Sequence, residues 1–357
     1  VKIAVVGLTN SGKTTIYNIL TGMKIEATSY SDVTLHKKSI GVAKVIDERI
    51  DYLDSIYEPK KKTYANIEFM DTPALFEKGS TALQDVKNSD ALVLVVRGFE
   101  NDEVLSTNLE IDPVSDINHV EAEMLLADLM VVENRISRID EQVKKSGRKE
   151  LLPEKKLFER LKDLLEDGKL LRECNFTDDE NKLLSGFQLV SFKPVLIVVN
   201  TDENKISDSE YENVILDVFK NRSNLDIVFI PGDIEMEIKE LDSEDAAEFM
   251  KDYGLTESGL ATVIRKSFEL LGLICFFTVG EDEVRSWSIP NGLTAQAAAG
   301  VIHSDLAKGF IRAEVTGYLN FHKFGNMSSV KEAGLQQLEG KEYIVRDGDI
   351  ICVRFNV

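Results

Sequence analysis

The chain has 357 residues, enough to bury a large core and to divide into two or three domains. A hydrophobic share of 43% and a charged share of 29% fit a soluble globular protein, and no apolar run is long enough to span a bilayer. The formal net charge of −20 argues against broad coating of nucleic acid, which needs a positive surface.

The first stretch, VKIAVVGLTN, has neither the n-region nor the cleavage site of a signal peptide and reads as a buried strand entering a turn. The three cysteines, Cys174, Cys275 and Cys352, are scattered without metal-ligand spacing, which fits a reducing cytoplasm. Further buried strands are predicted at 66–70, 91–96, 194–199 and 227–230, with an edge strand at 39–45. Apolar strands separated by helical patterns imply a mainly parallel sheet covered on both faces. Lys60, Lys61 and Lys62 form a local basic run, read as a solvated loop face or a small basic patch.

Between the runs at 91–96 and 194–199, Leu125, Leu129, Val132, Ile136, Ile139 and Val143 step by four and three. That is a coiled-coil seam, broken at Ser146-Gly147. Leu157, Leu161, Leu164 and Leu171 resume the spacing, with Gly168 a weak point. An inserted antiparallel helical hairpin is expected over 113–189; two amphipathic helices packed on the parent sheet are the alternative. From residue 274 short strands and turn dipeptides dominate, with a short helix plus a loop at 292–309 and a turn at Asp347-Gly348 before the last strand.

The chemistry is concentrated in GLTNSGKT, Gly7 to Thr14, which fits G-x-x-x-x-G-K-[ST] between a strand and a helix. Loop N–H groups and the helix N-terminus would surround phosphates, placing Asn10, Ser11, Gly12, Lys13, Thr14 and Thr15 at a nucleotide. Lys13 would neutralise the β- and γ-phosphates and Thr14 would ligate Mg²⁺. Asp71, at a strand end, supplies a carboxylate on the metal side, and Thr34, in the loop before the edge strand, a second hydroxyl. For Thr34 the competing reading is an ordinary loop residue.

The chain resembles the Obg-like ATPase (YchF) family of translation-factor-class P-loop NTPases. The resemblance rests on FFTVGEDEVRSWSI, AAGVIHSDLAKGFIRAEV, EGKEYIVRDGDI and VRFNV near the end, and on DERIDYLDSIYEPKKK, VVRGFEND and GLTESGLATVIRKSFELLGL before it. It implies a P-loop nucleotide-binding domain at 1–112 and 190–273, the helical hairpin at 113–189, and a ubiquitin-like β-grasp TGS domain at 274–357. It also implies slow nucleotidase activity and a ribosome, ribosomal RNA or ribosomal protein as partner. A cytoplasmic monomer with no membrane contact is expected.

A guanine-reading protein would carry N-K-x-D after the fifth strand; here the stretch is Asn200, Thr201, Asp202, Glu203. The resembling family has N-x-x-E and binds ATP at least as well as GTP, so ATP is favoured, with Asn200 and Glu203 reading the base. Where the family has Ser-Ala, this chain has Pro231-Gly232, which loosens that expectation and brings Gly232 to the base. Asn10 occupies the position that holds K⁺ in some related enzymes; supporting the loop is the alternative.

The sequence DTPALFEKGS departs from D-x-x-G, with Ala74 for the Gly and Leu75 where a water-orienting Gln would stand. The resembling family has a hydrophobic residue there. LHKK replaces the family's pattern after Thr34, and Gly79 is the only glycine of a shortened segment. Three readings stay open: a slow Mg²⁺-dependent ATPase using Lys13 and Thr34 in catalysis; a nearly inactive nucleotide-gated binding module; and a TGS-mediated adaptor with a structural nucleotide. Neither His36 nor His119 makes a strong base. The C-terminal aromatics Phe276, Phe277, Phe310 and Phe321 are expected in the core rather than as stacking platforms for bases.

Overall fold

The structure, a computed structural model, describes residues 1–23, 39–75, 82–100, 111–206 and 208–356. In chain order the elements are β1 (Lys2–Gly7), α1 (Lys13–Thr21), β2 (Ile40–Val45), α2 (Glu48–Tyr57), β3 (Lys61–Thr63), β4 (Ala65–Asp71), α3 (Ala82–Lys87) and β5 (Ala91–Gly98). Next come α4 (Pro113–Ser146), α5 (Leu152–Glu166), α6 (Asp178–Leu184), β6 (Val195–Thr201), α7 (Ser209–Phe219), β7 (Leu225–Pro231), α8 (Gly232–Glu240), α9 (Ser243–Asp252) and α10 (Gly259–Leu270). The last are β8 (Leu273–Thr278), β9 (Glu283–Pro290), α11 (Ala295–Ile302), α12 (Ser304–Lys308), β10 (Phe310–Gly317), α13 (Tyr318–Phe324), α14 (Met327–Glu332), β11 (Gln337–Glu339) and β12 (Asp349–Phe355).

Two compact units result, Val1–Gly41 with Glu68–Val263, and Val42–Ile67 with Ile264–Val357. One sheet has the order β2-β4-β1-β5-β6-β7, and its pairings from β4 to β7 are parallel. β5 and β6 are buried along their whole length, as the unbroken apolar runs required. The carboxyl ends of β1, β4, β5, β6 and β7 carry Gly7, Asp71, Gly98, Thr201 and Pro231, the edge where ligands bind in sheets of this kind.

The long helix α4 starts with Asp112 accepting from the Ser115 amide and Pro113 in its first turn, and ends at Gly147 with φ +67°. Its first half is not part of a hairpin: Ile117, Val120 and Met124 are core residues against the sheet. Its second half pairs with α5, where Val132 packs in one cluster with Leu157, Phe158 and Leu161. Glu133 pairs with Lys162 and Asp140 with Lys155. One heptad forward on α4 is thus one heptad back on α5, an antiparallel register. α5 stops at Glu166, so the spacing from Leu164 to Leu171 does not continue a helix: Gly168 has φ +74° and breaks it.

The second unit is built on a mixed sheet, β11-β10-β12-β8-β9-β3. The β8–β9 hairpin, β12 parallel to β8, and α11 packed against Phe276 and Phe310 make a β-grasp fold. Phe276, Phe277, Phe310 and Phe321 are all core. The stretch 292–309 holds two helices rather than a helix and a loop, because His303 Nδ1 accepts from the Asp305 amide and starts α12. The lysine run is solvent-exposed but is not a free basic patch. Lys60 lies in a bend, Lys61 and Lys62 open β3, parallel to β9, and Lys60, Lys61 and Lys62 pair with Asp282, Glu283 and Asp51. A parallel register beside Glu283, with Asp282 next to it, cancels the charge that looked free in sequence. Arg49 of α2 bonds both Asp47 and Asp347, which fixes residues 42–67 within this unit.

Candidate functional site

Gly7 ends β1 and Gly12 opens α1 with φ +81°, a conformation that strains any residue with a Cβ. Between them Asn10 also takes a left-handed backbone, φ 62°. A side chain on Gly7 would come within 2.6 Å of the Val95 carbonyl. The loop is therefore fixed by steric exclusion as well as hydrogen bonding. Ser11 is buried, while Thr14 and Thr15 are half-buried in the first turn of α1.

Lys13 is only 8% exposed. Its ammonium donates to the Thr72 carbonyl and lies 3.9 Å from Asp71 Oδ1. Asp71, 3% exposed, closes β4, and its amide donates to the Ser39 carbonyl. Thr72 is held by its hydroxyl, which donates to the Val5 carbonyl at 2.7 Å. Nothing in the sequence marked Thr72, whose carbonyl sits where the lysine needs an acceptor. Tyr17, on α1, is fully buried; burial first and the Asp71 charge next push its hydroxyl up to about 12.

Leu75 stands in the core rather than at an open surface. Its side chain is 3% exposed and belongs to the sheet core with Val6, Met70 and Leu94. Its amide donates to the Gly7 carbonyl at 3.1 Å, tying the end of the D-T-P-A motif to the start of the phosphate loop. Thr34, His36, the LHKK run and Gly79 lie outside the described residues. His119 is exposed on α4.

At the other end of the site Asn200 is 5% exposed. Its Nδ2 lies 3.5 Å from the Ser11 carbonyl, and its Oδ1 accepts from the Gly232 amide at 3.1 Å. Absent Cβ atoms make room for it on both sides. One on Gly12 would fall 2.0 Å from Asn200 Nδ2, and one on Gly232 2.6 Å from Oδ1. Pro231 ends β7 and Gly232 opens α8. Glu203 is exposed in a 3-10 turn, Glu203–Lys205. Asp202 is used elsewhere: it accepts from the Glu100 amide at 3.1 Å. The structure thus brings Lys13 to Asp71, and the Ser11 backbone to Asn200 and Gly232, along one edge of the sheet.

The donor set suits Mg²⁺. A serine- or threonine-type hydroxyl and a carboxylate are hard oxygen ligands, and phosphate oxygens and waters complete the shell in sites of this type. Among the described residues no group of three or more His, Cys, Asp or Glu could hold a metal.

Two family profiles match. The one described as "50S ribosome-binding GTPase" covers residues 2–156, and the YchF GTPase C-terminal profile, described as a protein of unknown function (DUF933), covers residues 273–356. The chain is 37% identical over 362 residues to the "Ribosome-binding ATPase YchF" of Bacillus subtilis, covering 99% of this chain and 98% of that protein. To the protein of the same name from Escherichia coli O157:H7 it is 34% identical over 363 residues, covering 100% and 99%. The solved YchF GTPase of Schizosaccharomyces pombe superposes with a TM-score of 0.86 at 27% identity, covering 99% of this chain and 97% of that one. The chain belongs to the YchF family.

Proposed function

We propose that this chain is a Mg²⁺-dependent P-loop nucleotidase that hydrolyses ATP slowly and works with the ribosome in the cytoplasm as a monomer. The observation that carries the reading is the juxtaposition of Lys13 and Asp71 beside a sterically defined phosphate loop. Lys13 binds the β- and γ-phosphates, Thr14 and Asp71 hold Mg²⁺ directly or through water, and Thr34 adds a hydroxyl when a γ-phosphate is present. When bound, Mg²⁺ supplies charge neutralisation at the phosphates. Asn10, Ser11, Gly12 and Thr15 complete the cradle, and Asn200, Glu203 and Gly232 hold the base. Asn10 is also the candidate for a K⁺ contact. The division into 1–112 with 190–273, 113–189 and 274–357 is our reading of how functions are distributed along the chain, although residues 42–67 pack in the C-terminal unit and the first half of α4 on the first unit's sheet.

ATP is favoured over GTP because the stretch has Glu203 in place of the acid of N-K-x-D, and because Asp202 is engaged by the Glu100 amide. The relatives named above as ribosome-binding ATPases support both the ATP preference and the ribosome as partner. Parallel titration of ATP, GTP and their diphosphates with Mg²⁺, at varied K⁺, tests the reading; tighter binding of GTP than ATP contradicts it.

A second reading has its own observation. Leu75 lies in the core and can neither donate to water nor take its proton, so the described residues hold no obvious group that orients an attacking water. On that reading the chain is a nucleotide-gated binding module, or an adaptor working through its C-terminal unit with a structural nucleotide. Steady product release above a no-enzyme control counts against the binding module, and equal partner affinity with and without nucleotide favours the adaptor.

A further inference from the structure

The base end of the site is braced by a contact that lies outside the phosphate loop and outside N-x-x-E. Glu235, in the first turn of α8, is 3% exposed. Its Oε1 accepts from the Gly259 amide at 2.6 Å. A buried carboxylate persists only where it is paired or hydrogen-bonded, and here the donor is the backbone amide that opens α10.

Gly259 is equally constrained. A Cβ there would lie 3.0 Å from Ile230 Cγ2 and 3.0 Å from Glu235 Cδ. Gly259 therefore sits against the chain two residues before Gly232 and three residues after it. Pro231 and Gly232 are held on both flanks, and between them the Gly232 amide is aimed at Asn200.

We propose that Glu235 and Gly259 form a clamp that positions Gly232, and through it Asn200, for the nucleotide base; both are positioning residues with no contact to the reacting atoms. This rests on the reading that Asn200 and Gly232 hold the base. Loosening the clamp lets α8 start elsewhere and moves Gly232, while the phosphate loop keeps Gly7, Gly12, Lys13 and the Leu75 amide.

The test uses Glu235→Gln and Gly259→Ala in the full chain. Glutamine replaces the charged acceptor of the Gly259 amide with a weaker neutral one. Alanine adds the crowding methyl. Binding of ATP and of inorganic triphosphate, each with Mg²⁺, is measured by calorimetry alongside the melting temperature. The expected result is ATP affinity lowered about tenfold, the effect of roughly one lost hydrogen bond, with triphosphate affinity within about twofold of the starting protein. Unchanged ATP affinity, or equal weakening of both ligands, overturns the clamp. A starting protein that binds ATP no tighter than triphosphate overturns the underlying base reading before any variant is measured, and the clamp with it.

Discussion

The Lys13 ammonium lies 3.9 Å from the Asp71 carboxylate, with the Thr72 carbonyl as its hydrogen-bond acceptor. Both charges are buried, and the carboxylate proposed for the metal side is also the counter-ion of the lysine proposed to bind phosphate. Removing that charge while keeping the shape weakens the metal's outer support. Asp71→Asn is expected to raise the Mg²⁺ concentration for half-maximal ATP hydrolysis about tenfold or more, read by Mg²⁺ titration at fixed ATP.

Asn200 spans from the Ser11 carbonyl to the Gly232 amide. Asn200→Ala leaves the buried Gly232 amide without that acceptor. The expected cost is about 1–3 kcal/mol in unfolding free energy, with ATP affinity lowered about tenfold. Denaturant melts and ATP titration measure the two effects separately.

Leu75 is a core residue at a position where related architectures keep a catalytic side chain. Leu75→Ala is expected to destabilise the chain by about 2–5 kcal/mol, as large-to-small core changes do. Leu75→Gln buries an amide among Val6, Met70 and Leu94 and is expected to lower stability without raising the hydrolysis rate. A faster Leu75→Gln enzyme with an unchanged denaturation midpoint would show that the side chain reaches the nucleotide instead.

Asp128 is fully buried on α4 and accepts from the Val190 amide, the Ser191 amide and the Ser191 hydroxyl. Burial raises its carboxyl above the ordinary 3.8, while those bonds and the Lys87 charge pull the other way; Lys193 is the other nearby cation. The native chain then holds this proton more tightly than the unfolded one. The proton-linked contribution is fully present below 3.8 and is lost as pH rises through the raised value. The unfolding free energy of the native chain minus that of Asp128→Asn is therefore expected to fall as pH rises above 3.8, measured by denaturant melts across pH.

Much of this was legible in the sequence, because it followed from periodicity and from one strict motif. The strands at 1–6, 66–70, 91–96, 194–199 and 227–230 lie in one sheet, since buried parallel strands leave unbroken apolar runs. Gly7 and Gly12 announced the loop because no other residue tolerates those contacts. What escaped depended on partners far away in the chain. Lys60 and Lys61 looked free because Asp282 and Glu283 are more than two hundred residues distant. The first half of α4 shares the hairpin's spacing, and only the sheet core against Ile117 and Val120 distinguishes the two halves. The position of Leu75 was readable, but the direction of its side chain was not. The Glu235–Gly259 contact joins two stretches whose relation appears only once β7, α8 and α10 are folded.

The most direct measurement is single-turnover ATP hydrolysis with Mg²⁺ by the unaltered chain and by Lys13→Ala, each with and without ribosomes. The unaltered chain is expected to release phosphate above the no-enzyme control, faster with ribosomes, and Lys13→Ala to fall to the control. Hydrolysis by Lys13→Ala at the unaltered rate would contradict the assignment of this site.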